Sequence, residues 1–226
     1  MKATPFIFYV DDLLTEGAVT IGHSAHAEGY NTLAAADQSH AEGEETKAIG
    51  RYGHSEGVAT VAGYAAHAEG LCSVALGLHS HSEGYTNESL GKDSHSEGRF
   101  TKAHGEQAHT EGLSTIASGN FGSHAEGNTT RATNNGSHAE GYNTEASGKY
   151  SHAEGYGTTA SGDFGSHAEG NSTRATINGA HAEGRNTEAS GKYSHAEGDE
   201  TKATNSGAHA EGYGTEASGK YSHAEG

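Results

Sequence analysis

The sequence predicts an all-β fold, a parallel β-roll (β-solenoid) of about fifteen turns of 14 residues, and three observations predict it. Ser151-His152-Ala153-Glu154-Gly155, or a near copy, recurs fifteen times along the 226 residues. The motif histidines are 14 residues apart, except for one spacing of 13 (His54 to His67) and two of 15 (His109 to His124, His152 to His167). A short fixed period of this kind means turns that stack and cover one another. Within each copy, small residues alternate with His and Glu, the period of two that belongs to a strand. Glycine, 35 residues in all, weighs against helix, since each costs roughly 0.8–1 kcal/mol relative to Ala in a helix interior.

The first strand of each turn is the motif itself. Before the His stands Ser, Ala or Gly; after it come Ala, Ser or Thr, then Glu, then Gly. A second strand follows. Six residues after the His there is Thr in twelve of fourteen cases, with Ser73 and Asn87 as exceptions, and eight residues after it Ala in thirteen of fourteen, with Ser89 as the exception. The unit is therefore expected to be two strands of about five residues, joined by turns rich in Gly, Asn, Asp and Lys. So flat a coil admits only Ala, Ser, Thr or Gly between its sheets, which puts the small alternate positions of both strands inside.

Two outward faces remain. On the second strand the outward residues vary freely, as Lys47 and Ile49, Val74 and Leu76, or Glu145 and Ser147 show. On the first strand they never vary. The imidazole column is His26, His40, His54, His67, His81, His95, His109, His124, His138, His152, His167, His181, His195, His209 and His223. The carboxylate column is Glu28, Glu42, Glu56, Glu69, Glu83, Glu97, Glu111, Glu126, Glu140, Glu154, Glu169, Glu183, Glu197, Glu211 and Glu225. Constancy asks for a shared constraint, so the His/Glu face is expected to be buried against copies of the chain as a structural polar ladder. An unpaired group there would cost about 1–3 kcal/mol.

These residues resemble a known family. The pattern Ser-x-Ala-x-Gly looks like the left-handed parallel β-roll heads of trimeric autotransporter adhesins of the YadA type, and Ser73-Val74-Ala75-Leu76-Gly77 matches that family's motif outright. The SHAEG variety is also similar to repeats in phage and prophage tail-fibre proteins of Gram-positive hosts. The resemblance covers about residues 17 to 226. It implies a homotrimer around a threefold axis lined by apolar x positions; here His and Glu take those positions in one strand, which leaves the axial strand open.

Composition points the same way. Hydrophobic residues make up 31% and aromatics 7%, with no Trp. That is too little apolar surface to offset backbone ordering at about 1–2 kcal/mol per residue in a solitary globule, so association of several rolls is expected. The formal charge is −17 with His neutral, and protonation of all 18 histidines would raise it to +1. The 13 Lys and Arg are scattered singly, so nucleic acid is not an expected partner. The lone Cys72 excludes an internal disulfide framework.

Residues 1–16 do not fit the repeat and are expected to form a cap or attachment segment. Their apolar run, Phe6 to Val10, is interrupted by Asp11 and Asp12 and is too short for a signal peptide. No stretch approaches the ~20 apolar residues of a membrane span, so no membrane insertion is expected. Repeats in 17–120 are irregular and those in 121–226 nearly uniform, with Phe121, Tyr150, Phe164, Tyr193 and Tyr221 recurring just before the first strand. Those aromatics are expected to wedge neighbouring turns or chains, with sugar binding as the alternative. The two insertions fall at the same corner, where an extra residue is absorbed as a bulge. The chain stops inside a motif, at Ser222 to Gly226, and a continuation or a covering partner is expected for that open edge.

Stacked at ≈ 4.7–4.9 Å, fifteen turns make a rod of about 70 Å. Its function is expected to be structural or adhesive: a rigid segment of a trimeric phage or prophage tail fibre, on the virion, with a host-cell surface receptor as external partner. The lack of a signal sequence favours assembly in the cytoplasm and release by lysis. The alternatives are a bacterial cell-surface trimeric adhesin head and a metal-binding His/Glu array, imidazole and carboxylate being good ligands for zinc-like ions. No catalytic residue or cofactor is expected, because repetition gives every turn the same residues and no turn a distinct acid/base pair or nucleophile.

Overall fold

The computed structural model describes residues 17–226; the cap assigned to 1–16 lies outside them. The described chain has no helix and forms two parallel sheets of fifteen strands each, one built from the motif strands and the other from the strands that follow them. Strands of one sheet pair with the strand two places on in sequence, so each turn of the chain contributes one rung to each sheet. Identical residues pair: His138, Ala139, Glu140, Gly141 and Tyr142 sit opposite His152, Ala153, Glu154, Gly155 and Tyr156. The register holds across both insertions and the short turn, with His109 opposite His124, His152 opposite His167 and His54 opposite His67. Every length change is taken up at the corner before the motif, in Phe121-Gly122 and Phe164-Gly165 through two successive left-handed residues.

The space between the sheets holds the small residues. Ala139 and Ala146 are completely buried and Thr144 almost so, and the bulkiest fully buried side chain is Asn87. No Val, Ile, Leu, Phe or Tyr is buried among the described residues. Serine before the motif ties the corner: Ser151 Oγ donates to Gly148 O at 2.7 Å and Ser194 Oγ to Gly191 O at 2.7 Å. Asn87, standing where most turns carry Thr, donates to Gly98 O at 2.8 Å and accepts from the Thr101 N–H at 3.0 Å, so its amide ties its own turn to the next.

The second strand differs from expectation. The first strand has five residues, as in His138–Tyr142, but the second has two, as in Glu145–Ala146. Its ends are cut by sharp corners in the left-handed region, five and twelve residues after the His, as at Asn143 (φ 53°) and Tyr150 (φ 57°). A residue in the left-handed helical region, with φ near 55°, turns the chain out of the extended conformation and ends the strand. The motif glycine has its own reason. Gly141 has φ +111°, and a Cβ there would lie 2.2 Å from the carbonyl oxygen of Gly155 in the next turn. The backbones meet so closely that any side chain would force the turns apart.

Candidate functional site

The fifteen motif histidines form one unbroken column on the outer face of the first sheet, because parallel in-register pairing sets each ring over its neighbour. Successive ring centroids are 4.6–5.0 Å apart. Most pairs are stacked face to face, with tilted pairs at His26–His40, His81–His95 and His209–His223. The straightest run is His40, His54, His67 and His81, with interplanar angles of 5°, 2° and 4°.

Two residues on, the Glu of the same turn points the same way, as the strand period requires. In fourteen of the fifteen turns, His109–Glu111 being the exception, His Nε2 faces Glu Oε2 at distances from 3.4 Å (His152–Glu154) to 4.0 Å (His54–Glu56). Only His26, His152 and His167, each at 3.4 Å, come within hydrogen-bond reach of their glutamate. The column is half-exposed on the single chain: His138 is 37% and Glu140 45% accessible. Stacking nevertheless hides the ring nitrogens, for Nε2 of His40, His54, His67, His81 and several later members has no accessible surface and no protein hydrogen-bond partner. Burial, then the charge of stacked neighbours, pushes His40, His67 and His195 below the ordinary imidazole range, and His109 likewise.

Two groups bring three donor atoms together: His54, Glu56 and His67, and His67, Glu69 and His81, each with its atoms within 4.8 Å of one another. The sequence placed all thirty column residues on one face, and the structure does bring them together there. It did not single out these two groups, since every turn carries the same letters.

The opposite face, on the second sheet, is organised rather than random. Val19, Ile21, Ile49, Leu76 and Leu90 are 41–69% exposed on it. Further along, outward charges alternate from turn to turn: Arg131 opposite Glu145, then Arg174, Glu188, Lys202 and Glu216 on four successive turns. Between the two blocks, Lys102 Nζ and His104 Nε2 contact the Glu88 carboxylate at 3.1 and 2.9 Å. Burial works to raise the Glu88 pKa, but these two hydrogen bonds win and hold it below the usual carboxylate range. This cluster escaped the sequence reading, although opposite charges 14 residues apart at one outward position are a signal for it. Three of the five corner aromatics, Tyr150, Tyr193 and Tyr221, lie over a glycine of the preceding turn: a Cβ at Gly136 would lie 2.7 Å from the Tyr150 ring, and Gly179 and Gly207 face Tyr193 and Tyr221 in the same way.

Fold and site together define a tandem-repeat parallel β-solenoid carrying a stacked imidazole column flanked by carboxylates. Neither the protein-family models nor the curated proteins contain a match to this chain.

Proposed function

We propose that the chain is a rigid structural segment of a homotrimeric fibre, a left-handed β-roll of the kind its motifs resemble, carried on a phage or prophage tail. The observation that carries this reading is the stripe Val19, Ile21, Ile49, Leu76 and Leu90, large apolar side chains left open on a rod with no bulky interior of its own. Contiguous exposed apolar surface marks an interaction face. Parallel symmetric association lays each rung of the stripe against the same rung of a sister copy. In this reading the second-sheet face lines the axis at least through Leu90, which departs from the expectation that sister copies cover the His/Glu ladder and leaves that face for contacts outside the roll. The structural reading needs no chemistry of its own, and a receptor on a host surface would be met by the fibre's exterior. A bacterial surface adhesin head fits the same geometry, with Ser73 to Gly77 as the residues that favour it; a membrane-anchor barrel in the same polypeptide would decide for it. Sedimentation equilibrium tests the assembly: a mass near three times 23.1 kDa is expected, and a monomer at micromolar concentration would overturn the reading.

A further inference from the structure

We propose that His54, Glu56, His67, Glu69 and His81 form a binding site for one divalent transition-metal ion of the zinc class. Three features of the site converge on this. The in-turn separations, 4.0 Å for His54–Glu56 and 3.8 Å for His67–Glu69, are too long for a hydrogen bond. Two metal–ligand bonds of about 2.1 Å, opened to an angle between the tetrahedral value and about 145°, span about 3.4–4.0 Å. The gap therefore has the size of an ion held by one nitrogen and one oxygen.

The second feature is the state of the nitrogens. Nε2 of His54, His67 and His81 is shielded from solvent and makes no protein hydrogen bond. A buried acceptor without a donor is costly, and a cation satisfies it.

The third is convergence. Here the nitrogen of a neighbouring turn stands within 4.8 Å of both donors, as it does in the two triads sharing His67. The nearly parallel rings, 2° and 4° apart, send their lone pairs side by side, so one ring must tilt to complete a three-donor set. Because His67 offers a single Nε2 lone pair, the two triads are alternatives and the five side chains hold one ion. Imidazole with carboxylate suits zinc, nickel or cobalt better than magnesium or calcium, which prefer all-oxygen shells. Water or a donor from another molecule completes the shell, so the site does not depend on the trimer.

The test is titration of the full chain with Co²⁺ and Zn²⁺ by calorimetry and visible absorption, with Mg²⁺ as a control. One tight equivalent per chain is expected, with the intense cobalt bands of a low-coordinate nitrogen–oxygen site. The double variant Glu56→Gln, Glu69→Gln keeps shape and hydrogen-bonding capacity, and His67→Ala removes the nitrogen shared by both triads; both should lose that equivalent. His79→Ala, outside the column, should keep it. Circular dichroism of each variant separates loss of the site from loss of the fold, and the glutamine pair is decisive where the alanine variant unfolds. Absence of a tight equivalent in the wild type, or its persistence in the folded glutamine pair, overturns the proposal. Since sedimentation reads the assembly separately, the metal site and the fibre can fail independently.

Discussion

At the scale of the residue, the structure turns on which positions accept a left-handed backbone. Gly141 does so with no room for a side chain, and Gly141→Ala should cost roughly 1–3 kcal/mol or more from strain and from the clash with Gly155. Thermal unfolding would show it, and an unchanged midpoint would contradict the close approach of the turns. The corner five residues after each His works in the opposite sense. Thr86 is β-branched and has φ 55° there, while Gly157 and Gly214 fill the same corner elsewhere. Relief of a left-handed penalty of about 1–2 kcal/mol exceeds the added chain entropy of glycine, about 0.5–1 kcal/mol. Thr86→Gly is thus expected to stabilise by about 0.5–1 kcal/mol in denaturant unfolding, which a sidechain-by-sidechain count of contacts would not anticipate.

At the scale of the element, alternation in the sequence was enough to place Ala139, Thr144 and Ala146 inside and His138 and Glu140 outside, because a strand has only two faces. The length of the second strand was not legible. Its limits are set by left-handed corners occupied by Thr86, Cys72, Phe100 and Tyr150, residues that carry no turn signal of their own and are held there by the stacked turns around them. The column's chemistry was legible as letters, but its ring-over-ring geometry depends on a register that only pairing fixes. That geometry predicts a pH response. The folded pKa values of His40, His67, His109 and His195 lie below the ordinary imidazole value of about 6.5, chiefly through burial and then through neighbouring imidazoles. The unfolded chain therefore binds protons first, so the stability from these groups is fully present above about pH 6.5 and is lost as pH falls through their folded pKa values. The melting temperature should fall between pH 7 and pH 5, and replacing these four histidines with Asn should flatten the fall. A melting temperature that rises on acidification would mean that His–Glu attraction outweighs burial and ring-to-ring repulsion.

At the scale of the whole molecule, the proposed trimer raises the question of which face would meet a sister copy, and magnitudes separate the two candidates. A half-exposed imidazole gains little from further burial, because covering it also strips water from a polar ring and from the glutamate beside it. A leucine gains about 1.5–3 kcal/mol on full burial, and in a closed trimer each substitution acts three times. Leu76 and Leu90, 46% and 41% exposed on adjacent turns, are therefore the residues on which association should depend. Leu76→Lys with Leu90→Lys would also gather six cations around the axis, where low dielectric magnifies repulsion. That pair is expected to shift the sedimenting species from trimer to monomer, with circular dichroism still reporting strand. Replacing His138, His152 and His167 with Ala should leave the trimer intact. The reverse result, with the lysine pair still trimeric and the alanine triple dissociated, would move the axis to the imidazole column and leave the apolar stripe to face a different partner.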